Sequence, residues 1–210
     1  MFSDHHDVER AEASSPRPRW FIVFATMWLA IVASGLYVVW AYDNRPGAGA
    51  AAPAQWPSDS SLTRAANGST LLFLAHPQCS CTQASLDELA EVLARATRPP
   101  RTYVLFLEPS TSEAGWDETA LWRRAQALPR VVAMHDQDGV EARRFGVETS
   151  GQTLLYDATG ALIFTGGITG SRGHAGENAG ELALVALLTR GESTRHSSSV
   201  FGCPLFAAAE

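Results

Sequence analysis

The stretch from Thr70 to Cys81, TLLFLAHPQCSC, joins an apolar run to two closely spaced cysteines. The uncharged run Thr70–Ala75 is typical of a β-strand that is buried on both faces of a sheet. Apolar residues at helical spacing follow within Thr82–Ala96 and predict a helix there. We therefore expect Cys79 and Cys81 to lie in a strand-to-helix turn, at one edge of a sheet.

Cysteines in such a turn are expected to be reactive. The free N–H groups and the dipole at the start of a helix favour the thiolate, which lowers the pKa of a nearby thiol. His76, if protonated, acts in the same direction. Inert buried cysteines are the alternative interpretation. Two cysteines in a proline-containing turn favour a functional site.

Outward from this turn, the chain alternates strand and helix patterns. Further strands are predicted at Thr102–Leu107, Val131–Met134, Thr153–Tyr156 and Ala161–Thr165, and further helices at Asp117–Ala127 with Asp117 as its cap, Asp138–Phe145 and Glu177–Thr189. The last two strands flank a hairpin signature, DATG. This order predicts an α/β sandwich with a mostly parallel sheet and one antiparallel hairpin.

The segment Asp136–Gly167, DQDGVEARRFGVETSGQTLLYDATGALIFTGG, resembles the second half of membrane-tethered thioredoxin-like proteins, a superfamily of thiol–disulfide oxidoreductases and peroxiredoxins. With TLLFLAHPQCSC in the place of the first strand and redox loop, the resemblance covers Ser61–Arg190. It implies a thioredoxin-like three-layer sandwich. Two differences stand out. A single residue separates the cysteines where the family has two, and Ser150-Gly151 replaces the cis-proline that precedes the family's hairpin.

The shortened cysteine spacing leaves open which residue attacks. Counted from the end of the first strand, Cys79 takes the position of the family's attacking cysteine and Thr82 that of its partner. Counted back from Leu86 in the helix, Cys79 takes the partner's position and His76 the attacker's.

A glycine-rich loop, Gly166–Gly176, is a further candidate component of the site. In the expected topology this loop leaves the sheet at the same edge as Cys79. Glycine at such density indicates close approach of backbones. His174 and Arg172 in this loop are therefore candidates for a base, a thiolate stabiliser or a metal ligand. A solvent-exposed histidine in a flexible connector is the alternative.

The third cysteine lies near the C-terminus. Val200–Phe206 is a compact apolar segment that would be unfavourable in water, so we expect it to dock on the domain or on a partner. Docking near the turn would make Cys203 a resolving thiol or a third metal ligand. The alternative is a frayed tail whose cysteine has no role.

An apolar run of 21 residues, Trp20–Trp40, contains no charge. As a helix it would be about 31 Å long, which matches the hydrocarbon core of a bilayer. More arginines precede it (Arg10, Arg17, Arg19) than follow it, so the positive-inside rule places the N-terminus in the cytoplasm. We expect a single-pass protein of the inner (cytoplasmic) membrane, with its domain on the periplasmic, or extracytoplasmic, side.

These patterns divide the chain into five parts. They are a cytoplasmic tail (1–19), a transmembrane helix (20–41), a linker rich in alanine, glycine and proline (42–60), a thioredoxin-like domain (61–190) and a C-terminal tail with Cys203 (191–210). The net charge of −6 argues against a nucleic-acid partner. All 16 basic residues are arginine, which excludes a Schiff-base lysine.

The leading hypothesis is a membrane-anchored thiol–disulfide oxidoreductase that acts on protein thiols and disulfides outside the cytoplasm, without a cofactor. Cys79 attacks a disulfide as the thiolate, and Cys81 or Cys203 resolves the mixed disulfide. A peroxidase is disfavoured, because the resemblance would place a threonine where His76 stands.

The competing hypothesis is a carrier of Cu(I) or another soft metal. Thiolates suit such ions, and some thioredoxin-like copper-delivery proteins combine two cysteines with a distal histidine, although their cysteines are three residues apart. The ligands would be Cys79, Cys81 and His174 or His76, with Cys203 as a further candidate.

Overall fold

The computed structural model describes residues 19–112, 115–116 and 118–206. The chain divides into two compact units between Ala41 and Tyr42. Helix α1, Arg19–Asp43, has no buried residue, and its most apolar window has a mean hydropathy of 2.2. The helix is long and apolar enough to cross a membrane, as an anchor or as a signal sequence. Arg10 and Arg17, on which the expected orientation depends, lie outside the described residues.

The second unit is built on a five-stranded sheet. Its elements are β1 Thr70–Ala75, α2 Cys81–Arg95, β2 Arg101–Glu108, α3 Ala120–Ala127, β3 Val131–Gln137, α4 Val140–Arg144, β4 Thr153–Tyr156, β5 Leu162–Gly166 and α5 Ala179–Arg190. The strand order is β3-β2-β1-β4-β5. Strands β1, β2 and β3 are parallel, and β4 is antiparallel to β1 and β5. The predicted thioredoxin-like α/β sandwich with one antiparallel hairpin is confirmed.

The sheet separates two apolar cores. Successive side chains of a strand point to opposite faces. Leu71 and Phe73 of β1 therefore belong to one core, together with residues of α2, α3 and α5. Leu72 and Leu74 belong to the other, which includes residues around α4. All six residues of β1 are buried, so β1 forms the centre of three layers and fixes the position of the turn that follows it.

Three helices begin later than the sequence pattern predicts. Helix α5 begins at Ala179 and not at Glu177, because Asn178 caps it. Helix α3 begins at Ala120 because Thr119 caps it, with its hydroxyl accepting a hydrogen bond from the N–H of Trp122. The predicted cap, Asp117, lies outside the described residues. Helix α4 begins at Val140 because Asp138 and Gly139 both have positive φ angles, 52° and 68°. These shifts leave the layers unchanged.

The segment 47–57, which we call the strap, belongs to the expected linker but packs on the domain. Its backbone N–H groups at Gly47, Ala51 and Trp56 donate to carbonyls of the domain. The ring of Trp56 packs edge-on against Phe145 and Tyr156, at 4.9 and 5.2 Å between centroids. Ala50 and Ala52 pack against the second core together with Trp56, so this part of the expected linker is held on the domain.

The chain after α5 returns along the open edge of the sheet. The N–H of Thr165 in β5 donates to His196, and the N–H of Ser198 donates to the carbonyl of Thr165. Residue 197 thus forms a parallel bridge to β5, which covers part of an unpaired strand edge. The segment then crosses to the carboxyl end of β1, where Val200 and Leu205 are buried.

Candidate functional site

The cysteine-bearing turn follows directly from the end of β1. The N–H of Cys79 donates to His76 O at 3.1 Å, and the N–H of Thr82 donates to Cys79 O at 3.0 Å. Helix α2 begins at Cys81. Cys79 therefore precedes the N-cap residue Ser80 of the helix, and Thr82 lies one turn further on. This placement favours the alignment in which Cys79 is the attacking residue and Thr82 stands where its partner would be.

Cys79 is the most activated of the three thiols. Burial by itself raises the pKa of the Cys79 thiol, but hydrogen bonds from the Cys203 thiol and the Thr82 hydroxyl outweigh burial, so the net pKa is lowered. Hydrogen bonds to the charged form of a group favour that form. Cys79 is consequently the thiol that ionises first.

Cys203 lies against Cys79, although 124 residues separate them in sequence. The two Sγ atoms are 2.8 Å apart. Burial raises the pKa of Cys203 to about 12, assisted by its hydrogen bond to Cys79 and by repulsion from the Cys79 thiolate. Once Cys79 has lost its proton, Cys203 is the hydrogen-bond donor of the pair. One negative charge is therefore held between two sulfurs.

Cys81 completes a group of three sulfurs. The Sγ atoms of Cys79, Cys81 and Cys203 all lie within 4.8 Å of one another. Cys81 is half-buried, and burial together with repulsion from the Cys79 thiolate raises the pKa of its thiol. Cys81 is therefore harder to ionise than Cys79.

A pair of hydroxyl groups supports the turn in the place of the family's proline. Ser150 Oγ lies 2.7 Å from Thr82 Oγ1 and accepts a hydrogen bond from the N–H of His76 at 2.8 Å. The N–H of Gly151 donates to Leu74 O at 2.7 Å. The described part of the chain contains no cis peptide bond. Side-chain hydrogen bonds therefore join the start of β4 to the cysteine turn.

Replacement of Thr82 by valine is expected to raise the pKa of the Cys79 thiol, because the thiolate loses a hydrogen-bond donor. Near neutral pH the alkylation of Cys79 by iodoacetamide should slow by about tenfold, the value of one hydrogen bond to a charged group. The measurement is the alkylation rate of Cys79 against pH, with the modified cysteine identified by mass spectrometry.

Thr102→Val is the matched control. Thr102 lies in β2 and is as buried as Thr82, and it does not contribute to the pKa shift of the Cys79 thiol. Equal pH profiles for the two variants would contradict the role of the Thr82 hydroxyl.

His76 lies in the turn, where its surroundings disfavour the charged imidazole. Burial lowers the pKa of its imidazole. Its Nδ1 accepts a hydrogen bond from the N–H of Gln78 at 3.2 Å, and its ring packs edge-on against Trp116. Burial therefore weakens the thiolate stabilisation considered for a protonated His76, because it disfavours the charged imidazole.

The glycine-rich loop brings Arg172, and not His174, to the sulfurs. His174 is exposed, and its Nδ1 lies 2.7 Å from Arg172 O within its own turn. It does not belong to the group of potential metal ligands found among the described residues. His174 therefore lies outside this group of potential ligands, which Cys203 completes.

Arg172 acts on the site by charge and by a hydrogen bond. Its guanidinium attracts the ionised forms of Cys81 and Cys203 and so opposes the rise in their pKa. Nη1 donates to Gly202 O, next to Cys203 in the chain. The charge of Arg172 therefore favours the thiolate forms of Cys81 and Cys203.

Two features of the site were not anticipated from the sequence. The hydrogen bond from Thr82 to Cys79 could have been inferred from the hydroxyl one turn after the cysteine. The close approach of Gly202 to Ser150 had no sequence signal beyond a glycine in an apolar segment.

No protein-family model and no curated protein matches the chain. Among solved structures, an uncharacterized conserved protein from Geobacillus kaustophilus is similar with a TM-score of 0.55 and 13% identity, over 80% of this chain and 95% of that chain. A hypothetical protein from Sinorhizobium meliloti has a TM-score of 0.49 and 17% identity, over 79% and 96% of the two chains.

A secreted disulfide oxidoreductase of Mycobacterium tuberculosis has a TM-score of 0.39 and 18% identity, over 58% of this chain and 82% of that chain. At these identities the similarity concerns the fold alone. The strand order β3-β2-β1-β4-β5, with three parallel strands and an antiparallel hairpin, is that of a thioredoxin-like fold.

Proposed function

We propose that this protein is a membrane-anchored thiol–disulfide oxidoreductase whose redox pair is Cys79 and Cys203. One observation carries the proposal: the two sulfurs are 2.8 Å apart. A disulfide bond is about 2.05 Å long, so the pair needs less than about 1 Å of further approach to form one. Cys79, whose thiol pKa is lowered, provides the nucleophile. Cys203, whose thiol pKa is raised, provides the second thiol that forms the disulfide.

The exchange proceeds in two steps. The Cys79 thiolate attacks one sulfur of a substrate disulfide. The substrate S–S bond breaks, one substrate sulfur leaves as a thiolate, and a mixed disulfide forms on Cys79. Cys203 then loses its proton to solvent and attacks Cys79 Sγ, which releases the second substrate thiolate. The substrate gains two electrons, and the protein holds a Cys79–Cys203 disulfide that a thiol reductant returns to the dithiol. All steps are reversible.

Arg172 supports the second step. Attack requires the Cys203 thiolate, whose pKa is raised to about 12 chiefly by burial. The guanidinium favours the ionised form of Cys203. Once Cys79 is in the mixed disulfide it carries no charge, so its repulsion of the Cys203 thiolate disappears. The substrate reaction itself therefore makes the resolving thiol easier to ionise.

Cys81 is a weaker partner for Cys79. A disulfide between residues i and i+2 closes a small, strained ring, and the pKa of Cys81 is raised. We assign Cys81 an auxiliary role. It either replaces Cys203 as the disulfide partner of Cys79 after resolution, or limits the ionisation of the other two thiols by its proximity.

Placement of the domain outside the cytoplasm is part of the proposal. Disulfide exchange is needed in oxidising compartments. Helix α1 is long and apolar enough to anchor the chain, and arginines precede it in the sequence. Protein thiols and disulfides on the periplasmic face are the expected partners.

The test is a redox titration of the full-length protein in detergent with reduced and oxidised dithiothreitol, followed by mass mapping of the disulfides. We expect a Cys79–Cys203 linkage in the wild type and in Cys81→Ser. Cys203→Ser should lose this disulfide. A predominant Cys79–Cys81 linkage in the wild type would refute the assignment.

A second candidate function follows from the sulfur triad. Three thiolate donors, with no histidine or carboxylate ligand in the group found among the described residues, are a donor set that suits Cu(I) and excludes hard cations. The ligands would be Cys79, Cys81 and Cys203. In this function the reduced protein carries a soft metal and Cys81 is an essential ligand.

Cys81→Ser separates the two functions. An oxidoreductase keeps its Cys79–Cys203 chemistry in this variant, whereas a carrier loses a ligand. Anaerobic titration of the reduced protein with Cu(I) against a chromogenic chelator measures the affinity. Stoichiometric Cu(I) binding that Cys81→Ser abolishes supports the carrier; no binding by the wild type rejects it.

A further inference from the structure

The nucleophilic cysteine is covered by the protein's own C-terminal segment. Cys79 is 2% exposed, and Cys203 occupies the position beside its sulfur. Attack on a disulfide requires an incoming sulfur in contact with Cys79 Sγ. Since Cys203 fills that position, a substrate protein reaches Cys79 only after the segment has moved.

The segment is held as an added strand. The N–H of Ser150 donates to Cys203 O at 2.9 Å, and the N–H of Leu205 donates to Glu148 O at 2.8 Å. Thr149 and Pro204 form an antiparallel bridge between these two bonds. Backbone bonds of this kind are available to any extended polypeptide.

Side chains on both sides of Cys203 anchor the segment. Val200 and Leu205 are buried, and the guanidinium of Arg143 lies 4.0 Å from the ring centroid of Phe206. Other faces of the segment are open: Pro204 is exposed, and a cavity of about 710 Å³ borders Gly202, Pro204 and Phe206. The segment is thus held at the edge of a cavity by two backbone hydrogen bonds and by the side chains of Val200, Leu205 and Phe206.

Position 202 accepts only glycine, because neighbouring backbone leaves no space for a side chain. A Cβ at this position would lie 1.9 Å from Ser150 O, and its φ angle is not in the left-handed region. The need for glycine is therefore a matter of space alone. Any polypeptide that follows the same path beside Ser150 meets the same restriction at the residue before its cysteine.

We propose that residues 200–206 are an internal occupant of the substrate-binding surface, which must leave before Cys79 reacts with another protein. The surface formed by Glu148, Thr149 and Ser150 then accepts an extended polypeptide with glycine immediately before its cysteine. The choice of substrate rests on the proposed function; the covering of Cys79 does not. Departure of the segment breaks no covalent bond in the dithiol form.

Gly202→Ala tests the covering role and keeps all three cysteines. We expect iodoacetamide to alkylate Cys79 at least about tenfold faster in this variant, because the added methyl group displaces the segment. The full-length reduced protein in detergent is assayed at about pH 10, because at this pH the loss of the hydrogen bond from Cys203 has the least effect on the ionisation of Cys79. The labelled cysteine is identified by mass spectrometry.

Gly170→Ala is the matched control. Gly170 is exposed in the glycine-rich loop, and a Cβ there meets only Asn178 Cβ at an ordinary 3.8 Å. The alkylation rate should equal that of the wild type. Unchanged tryptophan fluorescence in Gly202→Ala shows that the domain remains folded. Wild-type alkylation rates in a folded Gly202→Ala protein would overturn the proposal.

An added peptide tests the binding surface. The octapeptide Ser-Val-Phe-Gly-Ser-Pro-Leu-Phe, which matches residues 199–206 with serine for cysteine, should return the alkylation rate of Cys79 in Gly202→Ala toward the wild-type value. The same peptide with valine for glycine should not. Equal protection by both peptides, or by neither, would overturn the substrate rule.

These measurements need no disulfide exchange, so they are independent of the proposed function. Failure of the alkylation tests with a normal Cys79–Cys203 disulfide removes the inference and keeps the oxidoreductase. Failure of the disulfide mapping with accelerated alkylation removes the oxidoreductase and keeps the covering segment.

Discussion

Replacement of Cys79 by serine is expected to reduce disulfide exchange by at least about a thousandfold, because the variant lacks the nucleophile on which every later step depends. Cys79 is the thiol of the group whose pKa is lowered, whereas the pKa values of Cys81 and Cys203 are raised. Neither neighbour supplies a comparable thiolate fraction at neutral pH. The measurement is the release of coloured thiol from a small aromatic disulfide by the reduced full-length protein in a single turnover.

Cys81→Ser serves as the control for this variant. It removes a thiol from the same turn and leaves the Cys79–Cys203 pair in place, so the loss should be less than about tenfold. If Cys79→Ser retained a substantial rate and Cys81→Ser lost it, Cys81 would be the attacking residue and the assignment of the pair would be wrong.

Replacement of Cys203 by serine is expected to stop the reaction after its first step. Cys79 still attacks, since a serine hydroxyl donates a hydrogen bond to the thiolate as the thiol does. Resolution then depends on an external thiol. With dilute dithiothreitol as reductant, turnover should fall at least about a hundredfold, because intramolecular attack has a large effective concentration.

The trapped intermediate provides a direct readout for Cys203→Ser. Half of the aromatic disulfide should remain on Cys79, visible as an added mass on the peptide that contains residue 79. The wild type and Cys81→Ser should show no such accumulation. Rapid release of the adduct in Cys203→Ser would show that Cys81 resolves the mixed disulfide instead.

Much of the fold could be predicted because its signals are local. The run Thr70–Ala75 fills a strand with these bounds, since a strand buried on both faces needs apolar residues at every position. The turn residues 157–160 connect two antiparallel strands as expected. The sequence also placed Cys79 in the turn that leads into helix α2, two residues before its first residue Cys81, where the helix N-terminus favours a thiolate.

The candidate site could be predicted only in part, because its partners come from irregular segments. The sequence pointed to Cys79, Cys81, Arg172 and a docking C-terminal segment. It did not distinguish His174 from Cys203 as the residue beside the thiols. A histidine in a glycine-rich loop has no periodicity from which its direction could be inferred, and here its ring turns to the carbonyl of its own loop.

The amino-acid sequence alone thus determined the sheet, its hairpin, the apolar helix and the location of two cysteines at a strand-to-helix turn, since periodic burial is encoded in neighbouring residues. The tertiary structure alone decided that Cys203, 124 residues from Cys79, is its sulfur partner, and that the strap packs on the domain. Both segments are held by backbone hydrogen bonds and a few anchors. Any residue can form backbone hydrogen bonds, so the shape of the folded surface, and not local composition, decides where these two segments pack.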